Sequence, residues 1–365
     1  MLRKLVGKFH LILGLTAGLV IFTQAITGAI MVFEPELRDL TGPYRTIEPA
    51  EEPPLPPTEI ARIAHETVTG GRMNSIEFPG PEKSAVVHYL DDEMNHLVYI
   101  NPHSGDFLKT VDERNSFFRI TIELHTELML GKVGKQIIRF SALIFLIQII
   151  GGIILWWPRK GTRGQNKFKL KFGVSFKRLN YDLHSVLGFY ASWIILLTVI
   201  TGLAWSFDWM DRFVYFVSTG GAEYRESDSP RSVDEPVFSQ GYLTFLDDKY
   251  AETKEACGFE PLSSMIFFPD NSEECLLIIM NPSASKQSDY YAAFYDQYSG
   301  DLVRTEFVGD LNNGQYLHRA YYDLHLGKMW GYPGRILLFI ACLVVASLPI
   351  TGFLIWNGKR KSNGS

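Results

Sequence analysis

Four runs of this chain carry no charged residue: 11–33, 140–157, 185–207 and 336–356. About 20 helical residues at ~1.5 Å rise cross a ~30 Å hydrocarbon core, so each run is long enough to span a bilayer. Aromatic residues close or follow three of the runs: Trp156 and Trp157, Trp205 and Trp209, and Trp356. That is the composition of an interfacial belt. Bulk composition conceals the pattern, because 21% charged and 46% hydrophobic residues are ordinary globular values.

Charge placement supplies an orientation. Arg159, Lys160, Arg163, Lys167, Lys169, Lys171, Lys177 and Arg178 crowd the stretch 158–182, and Lys359, Arg360 and Lys361 follow the fourth run. By the positive-inside rule these flanks and both termini face the cytoplasm. The segments 34–115 and 206–315 then lie outside, with 36 of the 40 acids and 14 of the 35 bases. The first run follows Arg3, Lys4 and Lys8 as a signal peptide would, but it is longer than a typical signal core and no small-x-small cleavage site follows. A net charge of −5 argues against a nucleic-acid binder.

The chain is a tandem repeat. A shift of 174 lays His10 on His184, Gly14 on Gly188, Thr27-Gly28 on Thr201-Gly202 and Phe33 on Phe207. A shift of 200 lays Leu124-His125 on Leu324-His325, Gly131 and Gly134 on Gly331 and Gly334, Gly152 on Gly352 and Trp156 on Trp356. The outer segments match at Ser104-Gly105-Asp106 and Ser299-Gly300-Asp301, which read as hairpin turns. Each repeat is therefore span, outer segment, span, with a pseudo-two-fold axis along the membrane normal.

The expected organisation is a first span at 9–33, an outer domain at 34–115, and an interfacial helix with the second span at 116–157. A basic loop at 158–182 leads to a third span at 183–207. A second outer domain at 208–314, an interfacial helix with the fourth span at 315–357 and a tail at 358–365 complete it. The fold class is an α-helical membrane protein with four transmembrane helices in two repeats, plus two small α+β outer domains. In the first domain, helix is expected at 58–68 and strands at 85–90, 96–100 and 107–111. In the second, helix is expected at 245–257 and strands at 265–268, 276–280, 290–295 and 302–307. Five prolines in 48–57 make a stiff linker.

Four of the nine histidines recur at equivalent positions, His10 with His184 and His125 with His325. If the helices pack around the two-fold axis, each pair can meet across it, one pair at each face of the membrane. Two neutral imidazoles on opposing helices, with glycines nearby, are what a bis-histidine b-type haem requires. Gly14 and Gly188 lie one turn from His10 and His184 and are expected to leave room for it. Without Cys-x-x-Cys-His there is no covalent attachment. Headgroup anchoring and a different divalent-metal site are the other readings of these four.

A straight helix from His125 to Trp157 would run about 48 Å, so a break is expected at 131–134 and at 331–334. His318 lies seven residues before His325, where the other repeat has Phe118, and is a candidate alternative ligand. Arg119 and Arg319 are equivalent and suit carboxylates or headgroups. His65, His88, His96 and His103 read as surface residues. Cys257 and Cys275 can pair in an oxidising compartment, and Cys342 reads as a packed thiol. No dinucleotide, P-loop or zincin motif is present, so electrons would come from a quinol or a cytoplasmic flavoprotein.

His-x-x-x-Gly opening a helix that ends in Thr-Gly, then Leu-His-x-x-x-x-x-Gly-x-x-Gly before a helix ending in Gly-x-x-x-Trp, resembles the PepSY-associated transmembrane family over nearly the whole chain. Gly151-Gly152 departs from the Thr-Gly of the other helices. The family includes bacterial inner-membrane ferric-siderophore reductases with two b haems. The resemblance implies four spans, two periplasmic PepSY-like domains, haem at His10, His184, His125 and His325, and a ferric siderophore reduced between those domains. The alternative is a non-enzymatic membrane binding or regulatory protein. A metal transporter is a third reading, but its carboxylates would belong inside the charge-free runs.

Overall fold

The structure, a computed structural model, describes residues 1–50, 52–68, 70–90, 95–158, 168–224, 230–232, 241–284 and 286–362. Arg159, Lys160, Arg163 and Lys167 fall outside these residues, and the side chains of Lys359, Arg360 and Lys361 are likewise not described. The chain divides into a helical unit (Met1–Glu34, Ile120–Val217, Tyr321–Ser365) and a sheet unit (Pro35–Arg119, Ser218–Ala320).

In chain order the elements are α1 (Leu2–Val32), α2 (Glu34–Thr41), α3 (Pro57–Thr67), β1 (Arg72–Phe78), β2 (Ala85–Leu90), β3 (Asn95–Ile100) and β4 (Phe107–Asp112). There follow α4 (Phe117–Glu127), α5 (Gly131–Trp156), α6 (Phe176–Asp182), α7 (Gly188–Ser206) and α8 (Asp208–Ser218). The chain ends with α9 (Leu246–Ala256), β5 (Ser263–Phe267), β6 (Leu276–Asn281), β7 (Tyr291–Tyr295), β8 (Leu302–Phe307), α10 (Asn313–His325) and α11 (Gly331–Ser362).

Among the described residues, four helices are long and apolar enough to cross a membrane: Leu2–Val32, Gly131–Trp156, Phe176–Ser206 and Lys328–Gly358. Their outward residues are large and apolar, among them Leu19, Ile150, Trp193 and Ile340, which is the surface that lipid solvates. Inward, small residues bring backbones close, as where Gly18 meets Pro349. Between α6 and α7 the segment Leu183–Leu187 is π-helical, so the third span is continuous but locally underwound at His184.

The second and fourth spans break from the helices before them at 128–130 and 326–330, just ahead of the expected 131–134 and 331–334, where α5 and α11 already begin. After α4, Leu128 and Met129 take φ of 52° and 58°. After α10, Gly327 takes φ 70°. The turns are tight: a Cβ on Gly134 would lie 1.6 Å from the Glu127 carbonyl oxygen, and one on Gly334 would lie 2.4 Å from that of Gly327. These glycines make the corner that lets α4 and α10 leave the direction of the spans. They do not supply room for a cofactor.

The sheet unit corrects the expectation of two outer domains. Among the described residues its eight strands form one antiparallel sheet in the order β4-β3-β2-β1-β5-β6-β7-β8. The seam is β1 against β5, with Ile76 opposite Ile266 and both fully buried. The strand β1 escaped the sequence reading because Arg72-Met-Asn-Ser-Ile-Glu-Phe lacks an apolar alternation and buries only Ser75 and Ile76. One core continues across the seam, from Ile60, Val87 and Tyr89 to Leu246, Ile278 and Tyr295. The equivalent helices α3 and α9 are joined as well, where the Thr58 backbone N–H donates to Asp247 Oδ1 at 2.9 Å. The repeat is real, but its outer halves complete each other because a four-stranded half would leave an apolar edge and face uncovered. The hairpin turns match: Gly105 and Gly300 take φ of 78° and 75°, each donating its N–H to the residue four before it.

The three cysteines are free thiols. Cys257 Sγ contacts the carbonyls of Lys254 and Phe259, and Cys275 Sγ that of Pro230, so the two are not joined.

Candidate functional site

The four repeated histidines meet in pairs. The rings of His10, on α1, and His184, in the π segment, have centres 6.4 Å apart with planes at 90°. Those of His125, at the end of α4, and His325, at the end of α10, are 6.2 Å apart with planes at 83°. Each pair joins one histidine from each repeat.

Each ring is held by a span of its own repeat. Thr27 Oγ1 on α1 lies 2.9 Å from His125 Nδ1, Thr201 Oγ1 on α7 lies 2.9 Å from His325 Nδ1, and Thr351 Oγ1 on α11 lies 2.9 Å from His184 Nδ1. Each hydroxyl already donates its single hydrogen to a carbonyl one turn back: Thr23 at 2.8 Å, Thr198 at 2.9 Å and Ser347 at 2.9 Å. The threonine oxygen therefore accepts from the ring, which puts the proton on Nδ1 and the lone pair on Nε2. This is how an outer partner prepares a histidine to ligate metal.

The glycine after each threonine receives the same ring. A Cβ on Gly28 would sit 3.4 Å from His125 Cε1, one on Gly202 3.3 Å from His325 Cε1, and one on Gly352 3.2 Å from His184 Cε1. Thr-Gly is thus a clasp: the hydroxyl takes Nδ1–H and the missing side chain admits Cε1. At His10 the positions are Gly151 and Gly152, whose Cβ atoms would lie 3.5 Å from Nδ1 and from Cε1 respectively. There is no hydroxyl, and His10 Nδ1 is buried without a hydrogen-bond partner.

Thr27-Gly28 and Thr201-Gly202 stand out in the sequence as repeat matches, as does Gly352 with Gly152, but nothing in it says which ring they face. Gly14 and Gly188, expected beside a cofactor, instead admit the side chains of Gln148 and Leu348 from the neighbouring span. Their absent Cβ serves helix packing, since the face one turn from each histidine is turned toward α5 or α11.

An apolar cavity opens at His125 and His325, with Gly28, Phe145, Cys342 and Val345 among its lining residues. The ring spacing can be tested against a shared metal. A metal–nitrogen distance of about 2 Å, with each ring centre about 1.1 Å behind its nitrogen, places two axial imidazole centres about 6 Å apart. Both pairs have that spacing. Among the described residues no group of three or more His, Cys, Asp or Glu gathers to hold a bare ion. Two axial nitrogens suit a metal whose other four ligands come from a macrocycle, so the residues fit b-type haem.

The remaining candidates lie elsewhere. His318 is exposed on α10, and neither ring pair includes it. Arg319 binds Glu306 at 3.0 Å, and Arg119 is exposed. His65 is exposed, His88 is half-buried 3.7 Å from Glu77, His96 is half-buried on β3, and His103 bonds the Glu52 carbonyl through Nδ1 at 2.6 Å. Trp205 packs on His325 with ring centres 5.1 Å apart.

A family model described as the PepSY-associated TM region matches residues 8–359. No curated protein matches the chain.

Proposed function

Because the chain belongs to the PepSY-associated TM family, we propose that it is a two-haem membrane oxidoreductase that reduces a periplasmic ferric siderophore. His10 and His184 would hold one b haem near the cytoplasmic face, and His125 and His325 would hold the other near the outer face. Haem bound there supplies reversible one-electron transfer.

The chain's own residues prepare both positions. Thr27, Thr201 and Thr351 keep three rings in the tautomer that presents Nε2. The apolar lining at His125 and His325 keeps water away, which favours the less charged state of a bound metal. With both termini in the cytoplasm, the orientation the basic flanks favour, electrons would enter from a quinol or a cytoplasmic flavoprotein. They would leave on the outer side. Reduction loosens iron because the hard oxygen donors of a siderophore favour Fe(III) over Fe(II). With one fused sheet the acceptor meets the surface of a single unit, not a cleft between two domains.

The observation that carries this reading is the spacing of the two ring pairs, 6.4 and 6.2 Å, each drawn from both repeats. The test is the absorption spectrum of the full-length protein in detergent, before and after dithionite. A Soret band and sharp reduced α-bands are expected. Their absence overturns the haem reading and leaves the non-enzymatic binding protein in its place. Reduction of a ferric hydroxamate by the dithionite-reduced, desalted protein then tests the acceptor class.

A further inference from the structure

Three of the four histidines are clasped by a threonine, and one is not. His10 faces Gly151 where His184 faces Thr351, and its Nδ1 is left without a partner. The span α5 grips α1 differently here: Gln148 Nε2 donates to the His10 main-chain carbonyl at 2.9 Å. The equivalent residue in the other repeat is Leu348, which cannot do this. Repeat one therefore anchors the backbone of its histidine and leaves the ring loose.

We propose that Gly151 is a tuning residue that keeps His10 the weaker electron donor of the four, raising the reduction potential of the His10–His184 site. The proposal rests on the two-haem reading. An Nδ1–H that donates to a hydroxyl pushes electron density to Nε2, stabilising the ferric state and lowering the potential. His10 lacks that bond, so its site is reduced more readily. With the basic flanks inside, this is the site where electrons enter, and a readily reduced entry site favours uptake from the donor. The absence of the threonine is not forced by space. A Cβ at Gly151 would lie 3.5 Å from His10 Nδ1 and 3.6 Å from Val6 Cγ1, which is ordinary van der Waals contact.

Redox titration of full-length Gly151→Thr and Gly151→Ala, followed at the reduced α-bands, tests this. Gly151→Thr should lower one of two midpoint potentials and leave the other in place. Gly151→Ala, which adds volume but no hydroxyl, should move neither, and Thr351→Gly should raise the same potential that Gly151→Thr lowers. Equal shifts with Thr and Ala, or no shift with Thr, overturn the proposal. Ring ¹⁵N spectra of the haem-free chain supply a readout independent of haem. His10, identified by its loss in His10→Asn, should show mixed tautomers and become Nδ1–H in Gly151→Thr. A His10 ring already in the single Nδ1–H tautomer overturns the tuning role even if the protein binds no haem, and missing Soret absorbance overturns the reading beneath it.

Discussion

Thr201 Oγ1 and His325 Nδ1 lie 2.9 Å apart, and the threonine spends its own hydrogen on the Thr198 carbonyl. The direction of the bond between them follows: the ring donates, and the lone pair is left on Nε2. Replacing Thr201 or Thr27 by valine keeps the shape and removes the acceptor. Each change should weaken cofactor retention at the His125–His325 site by about 10- to 100-fold. Transfer of haem to an apoglobin acceptor measures it, and the other site should keep its haem.

His125→Ala and His325→Ala should each remove the same half of the haem and leave the same remainder. Pyridine haemochrome per polypeptide, together with the residual α-band, reads this. Variants that leave different remaining spectra would contradict the pairing across repeats.

The planes within the pairs stand at 90° and 83°. If the rings keep these planes with haem bound, two iron d orbitals would be nearly degenerate. The oxidised protein should therefore give a highly anisotropic low-spin electron paramagnetic resonance signal. A rhombic spectrum of the kind given by parallel imidazoles would contradict the crossed arrangement.

In the sheet unit, Arg38 binds Glu113 through two bonds, at 2.9 and 3.0 Å, and Ser116 adds a third at 2.9 Å. Burial pushes the Glu113 carboxyl up, but the Arg38 guanidinium and the Ser116 hydroxyl outweigh it, so the group sits below its ordinary value. The stabilisation is complete above about pH 4.3, the unfolded carboxylate value, and is lost as pH falls through the lower folded value. Arg38→Leu strands a buried carboxylate and should cost about 3–5 kcal/mol at neutral pH. Thermal melts across pH should show that deficit shrinking in acid.

The seam between β1 and β5 predicts shared fate. Ile76→Ala or Ile266→Ala should each cost about 2–5 kcal/mol and loosen both halves together. Limited proteolysis would then cut in 35–119 and 218–320 at the same rate. Selective loss of one half would mean that the two halves fold independently.

The sequence alone carried the membrane assignment, because four charge-free runs have few other solutions. It carried the duplication and the four histidines, since these are matters of length and spacing. It also marked Thr27-Gly28 and Thr201-Gly202 as recurrent and Gly151 as a departure, without saying what any of them touches. Ring contacts join residues as far apart as Thr351 and His184, and no local pattern encodes which helix face meets which. The seam was hidden for a similar reason: β1 is polar in composition, and its burial comes from its place beside β5. Only the tertiary structure decided that two outer halves make one sheet, that each repeat clasps its own rings, and that His10 alone goes without a hydroxyl. Spacing along the chain fixed which residues recur, while packing between helices and strands fixed which of them act together.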